Sequence, residues 1–265
     1  MIKRRSSRGA AIACAPVGSL LIERPGTVAD IKTLKNSLLK SEDESFFERF
    51  RKNEPTIVVD DIAQFLEDKI VFGEIPPGSH LPEESISQRY NVHRHLVREA
   101  LRSLEHEGLA VWESRRGVWV TQMSLEGLDD VYTCRRSLEA LAAELAAQRR
   151  TKEDLEGIVH ALNELESAVA TLNPRNFFRL NLALSAKVHA AAHNRTLLRL
   201  IIAIGKQSYR YRFLAYLQRP EMMEASVQGH KAVVDAITSG DSRKAKKMIE
   251  DMVDASWVFL RTILS

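Results

Sequence analysis

At 265 residues, 45% of them hydrophobic, the chain can bury one or two ordinary cores, and this composition excludes disorder throughout. A net charge of +3 does not by itself announce a nucleic-acid partner, so the placement of charge has to carry any such argument. No run approaches the ~18 apolar residues of a membrane helix, and the two cysteines, Cys14 and Cys134, show neither a CxxC nor a zinc-type spacing, which points to a reduced, cytoplasmic protein without a membrane partner.

Residues 1–55 read as an N-terminal extension, partly disordered. The first 25 are basic and carry Gly, Pro and Ser, and Ile31 to Phe50 suits a short amphipathic helix. Lys3-Arg4-Arg5 followed by Ala10 to Ile22 imitates a secretion signal, but Pro16 and Gly18 break its apolar part. The extension is either a mobile tail or a basic arm whose Lys3, Arg4, Arg5 and Arg8 add salt-sensitive phosphate contacts.

Residues 56–122 form the first expected domain. Val58, Ile62, Phe65, Leu66 and Ile70 recur at helical spacing, and Gly73 and Pro76-Pro77-Gly78 end that helix. Glu84 to Tyr90 reads as a second, short helix, stopped by Asn91, which tolerates the left-handed conformation of a tight turn. A third helix opens near His93. It places Val97, Ala100, Leu101 and Leu104 on one face, and Arg94, Arg98 and Arg102 as a cationic stripe on the next. Two β-rich runs, Gly108 to Glu113 and Val118 to Val120, flank the basic turn Ser114-Arg115-Arg116-Gly117. Three helices and a two-stranded wing make a winged helix-turn-helix. This segment holds seven Lys and Arg against eleven Asp and Glu, a local charge of −4. Most of its basic residues nevertheless fall in the helix-turn-helix and wing, while Asp60, Asp61, Glu67, Asp68 and Glu74 belong to the preceding helix and are expected to face away from DNA.

Residues 123–265 read as helices only. Leu128, Val131, Leu138, Leu141 and Leu145 recur at three-to-four spacing, as do Leu155, Ile158, Leu162, Leu165, Val169 and Leu172, after a capping-box-like Thr151-Lys152-Glu153-Asp154. Pro174, Asn194, Pro220 and Gly240-Asp241 separate four more helices, giving a mainly α protein whose C-terminal part is a bundle of about six helices.

Pro76 to Glu83, Val92, Arg94, Val97-Arg98-Glu99-Ala100-Leu101, Leu104, Glu107-Gly108-Leu109 and Arg116-Gly117 together resemble the DNA-binding domain of GntR-family transcription regulators. The helical part is similar to the effector domain of the FadR-like branch, the FCD domain. That likeness rests on Asp130-Val131-Tyr132, the run Arg135 to Ala147, Ala191-Ala192-His193-Asn194, and His230 to Ile237 with Gly240-Asp241. The resemblance implies a homodimeric regulator, in the main a repressor, that binds double-stranded DNA at a palindromic operator. A small-molecule effector, a carboxylate or an acyl-CoA, would bind in the helical domain.

On that reading Arg94 and Arg98 reach base edges, while Arg89, Arg102, Arg115 and Arg116 hold phosphates. His93, His95 and Gly117 complete the DNA-binding set. Three positions depart from the family: Glu84 stands where members commonly carry an arginine, His93 where a Ser or Thr caps the helix, and His95 where Thr commonly follows. They imply an operator unlike that of better-matched relatives.

Many FCD members also hold a divalent metal, and the corresponding places here are Asn181, Ser185, His230 and Met252. The expectation is no metal and no cofactor, with a pocket built from these residues, Arg135, and Tyr211 or Arg212, open to a small anion. No P-loop, HExxH or Ser/His/Asp spacing supports an enzyme; a helical protein that docks a protein partner is the remaining alternative.

Overall fold

The computed structural model describes residues 59–265, so the expected basic arm and the helix over 31–50 lie outside the described residues. Helix α1 (Val59–Val71) opens the described chain. It is followed by α2 (Glu83–Tyr90), α3 (Arg94–His106) and an antiparallel pair, β1 (Ala110–Glu113) and β2 (Gly117–Val120). The strands pair in the register Ala110 with Val120 and Glu113 with Gly117. Asn91 ends α2 at φ 51°, the left-handed turn that lets α3 fold back across it. Val97, Ala100, Leu101 and Leu104 are all fully buried against α1, α2 and β1, which leaves the arginine stripe of α3 outside.

Six helices follow: α4 (Leu125–Arg149), α5 (Lys152–Val169), α6 (Pro174–Ala190), α7 (Arg195–Gln218), α8 (Glu221–Ser239) and α9 (Ser242–Leu264). Their starts are written in capping chemistry. Ser124, Thr151, Asn173, Asn194 and Asp241 each accept a backbone N–H with the side chain. Thr151 and Asp154 form a complete capping box, and His193 bonds the same Asp154 carboxylate at 2.7 Å. Leu172 does not continue its helical pattern. α5 ends at Val169, and Leu172 sits in the following turn at φ 47° with its side chain exposed.

The long α4 lies along α9 with a face of small residues, Ala140, Ala143, Ala146 and Ala147, that allows close helix approach. One continuous core joins the bundle to the end of α1. Phe72 stacks edge-on against Phe178 of α6 at 6.0 Å and Phe213 of α7 at 4.9 Å.

Glu67 and Asp68 of α1 and Glu74 of the turn after it face the bundle, and basic residues of α6 and α7 meet them. Arg179 bonds Asp68 (3.2 Å), Arg175 bonds Glu74, and Lys206 lies between Glu67 (2.8 Å) and Glu107 (2.6 Å). Burial acts to raise the Glu67 carboxyl above its usual range, and the Lys206 ammonium partly offsets it. Glu67, Asp68, Glu74 and Glu107 thus hold the winged helix to the bundle.

Candidate nucleic-acid interface and effector cavity

The outer face of α3 carries Arg94, Arg98 and Arg102, each roughly half exposed. A carboxylate from α2 organises two of them. Glu83, itself largely covered, accepts from Arg98 Nε (3.0 Å) and Nη2 (2.9 Å) and from Arg94 Nε (3.1 Å), while Glu84 accepts from Arg94 Nη1 (3.3 Å). The arginines lower the Glu83 pKa through hydrogen bonds and charge, more than burial raises it. Glu83 grips the Nε side of the Arg98 fork and leaves Nη1 without a partner among the described residues. Arg102 turns to Glu99 on its own helix at 3.0 Å.

His93 supplies no side-chain cap; its ring stacks on His95 at 5.7 Å instead. In the wing, Arg116 pairs with Glu113 (2.6 Å) and covers the Trp119 ring, and Arg115 occupies the turn at φ 62°. Gly117 at φ 86° is needed twice over. A side chain there would be strained, and its Cβ would stand 2.9 Å from His80 Nε2, in the space where His80 lies against Trp119. Arg89 lies over the Tyr90 ring on α2. The basic residues expected to meet DNA therefore occupy α2, α3 and the wing turn.

A second site lies inside the bundle. A cavity of about 300 Å³ is bounded by Arg135 of α4, Asn181 of α6, Arg212 and Tyr216 of α7, and residues of α8 and α9 including Ser226, His230 and Met252. Arg135 and Glu139 form a buried pair on successive turns, at 2.7 Å. Burial opposes both charges, yet the pairing wins. It holds the guanidinium above its ordinary pKa and brings the carboxyl down to about 2. His230 is buried beside Arg212, and both desolvation and that cation bring its pKa down to about 3, so the ring is neutral. Among the expected pocket residues, Tyr211 and Ser185 do not line the cavity. Tyr211 points the other way along α7, its hydroxyl at the Ser124 backbone at the start of the bundle, and Arg212 takes the inward position.

Residues 58–120 match the family described as bacterial regulatory proteins, gntR family, and residues 130–255 match the FCD domain. The chain belongs to the GntR family of transcription regulators. It is 26% identical to an uncharacterized HTH-type transcriptional regulator, YdhC, of Bacillus subtilis, over 76% of this chain and 89% of the relative. It is 28% identical to the galactonate operon transcriptional repressor of Escherichia coli, over 77% of this chain and 97% of the relative. In structure it is similar to E. coli McbR/YncC, with a TM-score of 0.71 at 16% identity, covering 80% of this chain and all of that one; at that identity the likeness speaks for the fold.

As a GntR-family regulator the protein binds DNA through the winged helix and carries an FCD effector domain. The metal that the FCD resemblance implies does not fit the residues present. Asn181 supplies an amide in place of a carboxylate, and that amide bonds the His230 Nε2 atom at 3.0 Å, the nitrogen whose lone pair a metal would need. Met252 packs its sulfur against the α8 backbone at Gly229, where a Cβ would stand only 3.0 Å away. The Arg212 guanidinium bonds Asn181 Oδ1, bringing a permanent positive charge to the place a cation would occupy. Among the described residues no group of three His, Cys, Asp or Glu could hold a metal ion.

Proposed function

We propose that this GntR-family regulator is a cytoplasmic homodimeric repressor that acts by binding rather than catalysis, reads a palindromic operator with α3 and the wing, and is controlled by a small organic anion in the bundle cavity. Two relatives are named as operon repressors, one a probable repressor of a D-xylose utilization operon and one the repressor of the galactonate operon, which supports the repressor reading. Two-fold symmetry suits the reader: one winged helix makes few base contacts, and a dimer doubles them across two half-sites. Arg94 and Arg98 take base edges, and Arg89, Arg102, Arg115 and Arg116 take phosphates. The size of the cavity favours a small carboxylate over an acyl-CoA, whose nucleotide exceeds a space at the lower end of the range for ligand pockets. Among the described residues no helix is long and apolar enough to cross a membrane.

The observation that carries this reading is the course of α7. A single unbroken helix presents Arg212 and Tyr216 to the cavity, and about two to three turns earlier it presents Lys206 to Glu67 and Glu107 of the reading head. Gln207 lies beside Gly108, at the turn between α3 and β1. A ligand that shifts α7 alters the seating of the winged helix, which supplies the differential affinity that allosteric control requires. The test is selection of duplexes from a random pool by the full-length protein, followed by gel shift on the selected sequence and on the DNA upstream of the protein's own gene. A two-fold symmetric consensus bound by a dimer is expected; binding without sequence preference, or by a strict monomer, would sink the reading.

A further inference from the structure

The hydrogen bonds around the cavity have a definite polarity. A guanidinium only donates, so the bond from Arg212 Nη2 fixes Asn181 Oδ1 as acceptor and turns the amide Nδ2 toward Ser226 Oγ (2.9 Å) and His230 Nε2 (3.0 Å). His230 Nε2 therefore accepts, and the neutral ring carries its hydrogen on Nδ1, a buried atom with no partner among the described residues. Ser226 Oγ also accepts from the Tyr216 hydroxyl at 3.1 Å, so its own hydrogen is left to give. Arg135 Nη1 is a further buried donor without a partner. Each of these unspent positions belongs to a residue that lines the cavity, and each is a donor. The nearby acidic groups are already engaged, Glu139 by Arg135 and the rim residue Asp251 by Lys247. Arg212 has no carboxylate partner among the described residues. Ser256, also in the lining, pairs with the Tyr132 hydroxyl at 3.2 Å, and most of the remaining wall is thioether and methyl, with Met222, Met248 and Met252 beside Ala215 and Ala255.

We propose that this cavity is a metal-independent site for a small monocarboxylate poor in hydroxyl groups, with the Arg212 guanidinium in the role that a metal ion plays in a metal-bearing site. The carboxylate oxygens accept from Arg212, from Ser226 Oγ and from His230 Nδ1, with Arg135 Nη1 as a fourth donor. Its short hydrocarbon part lies among the methionines, which adapt to irregular shapes. A polyhydroxylated acid fits poorly, because hydroxyls set against Met and Ala would be buried without partners. This inference rests on the cavity being the effector site, and it specifies what enters it.

Titration calorimetry of the full-length protein, without DNA, tests it with 3-methylbutanoate, hexanoate, benzoate and phenylacetate, the primary amide of each, and D-galactonate. At least one of the four acids is expected to bind saturably, with its amide about tenfold weaker or worse, galactonate weaker still, and no change on adding EDTA or zinc. Arg212→Gln should weaken the best acid by about tenfold or more. Should that variant fold poorly, Ser226→Ala, which removes one donor at the edge of the network, should weaken it severalfold. Equal binding of acid and amide, tighter binding of galactonate, loss of binding in EDTA, or no binding by any of the four acids would overturn the proposal. An acid that binds here yet leaves operator affinity untouched would instead break the proposed coupling to DNA and leave the ligand assignment standing.

Discussion

Two of the arginine–carboxylate pairings in this molecule ask opposite things of the same chemistry. On α3, Arg94 and Arg98 lean on Glu83 at the surface, in water, where an ion pair contributes little to stability and can trade its partner for a base or a phosphate. Inside the bundle, Arg135 and Glu139 are both nearly inaccessible, and neither can lose the other without stranding a charge. On the proposed function the exposed pairing pre-sets a reader; the buried one fixes the wall of a cavity. The function of a charge pair here follows from its solvent exposure more than from its geometry, since the distances are similar.

The sharpest way to break that contrast is to remove the buried cation. Arg135→Met should destabilise the protein by about 3–5 kcal/mol, read from urea or thermal unfolding, because Glu139 is left charged and unpaired. The double variant Arg135→Met with Glu139→Leu should recover most of that loss. If the single variant costs no more than a surface substitution, the pair is not isolated from water and the contrast fails.

Acid titration separates the two regions next. Unfolded His230 would take up a proton below its ordinary pKa of 6.5, but the folded ring resists until about 3. The unfolded state therefore binds more protons in that window, and stability must fall as pH drops from 6.5 toward 3. Glu139 behaves alike lower down. Its contribution is complete above 4.5 and is lost as pH falls toward 2. His230→Gln should flatten the upper part of the profile of thermal midpoint against pH, by an amount on the order of a few kcal/mol across the window. A variant profile parallel to that of the parent protein would rule out a neutral buried ring.

Arg98→Ala should do the reverse of Arg135→Met, leaving the unfolding midpoint unchanged while weakening the selected operator about tenfold to a hundredfold and relaxing one base position. Retained selectivity would remove Arg98 from the reading set. Smallest of all is the phosphate effect: Arg115→Ala and Arg116→Ala should each lower the slope of log affinity against log salt by about one, with equal losses on specific and random duplexes.

Much of this plan was readable in the sequence, for a physical reason. Local periodicity dictates which face of a helix is buried, so Val97, Ala100, Leu101 and Leu104 were legible as core and Arg94, Arg98 and Arg102 as surface. Capping works over three residues, and Thr151 with Asp154 was legible too. Pairings between distant segments were not. Sequence reading can pair the arginines only with carboxylates on the same helix, such as Glu99 and Glu105. It could not reach Glu83, 15 positions before Arg98, which only the left-handed turn at Asn91 brings into range. It could set the acidic residues of α1 away from DNA but could not see that Lys206, Arg175 and Arg179 meet them, because no local rule links residues about a hundred or more apart. Tyr211 and Arg212 are neighbours in the chain and were left as alternatives. Helical geometry turns successive side chains about 100° apart, and only the packing of α7 decides which of them looks inward.

The continuity of α7 also constrains how this protein can change. Arg212 and Lys206 lie six positions apart on one rigid rod, a separation of about 9 Å along the axis. Substitutions along the rod can retune the cavity or the contact with the reading head one residue at a time. A single inserted or deleted residue between them would turn one set of side chains by about 100° relative to the other and break the correspondence outright. On the proposed coupling, the segment from Lys206 to Arg212 is open to drift in chemistry but closed to drift in length, so a descendant that acquires a new ligand would have to keep that spacing to keep its response.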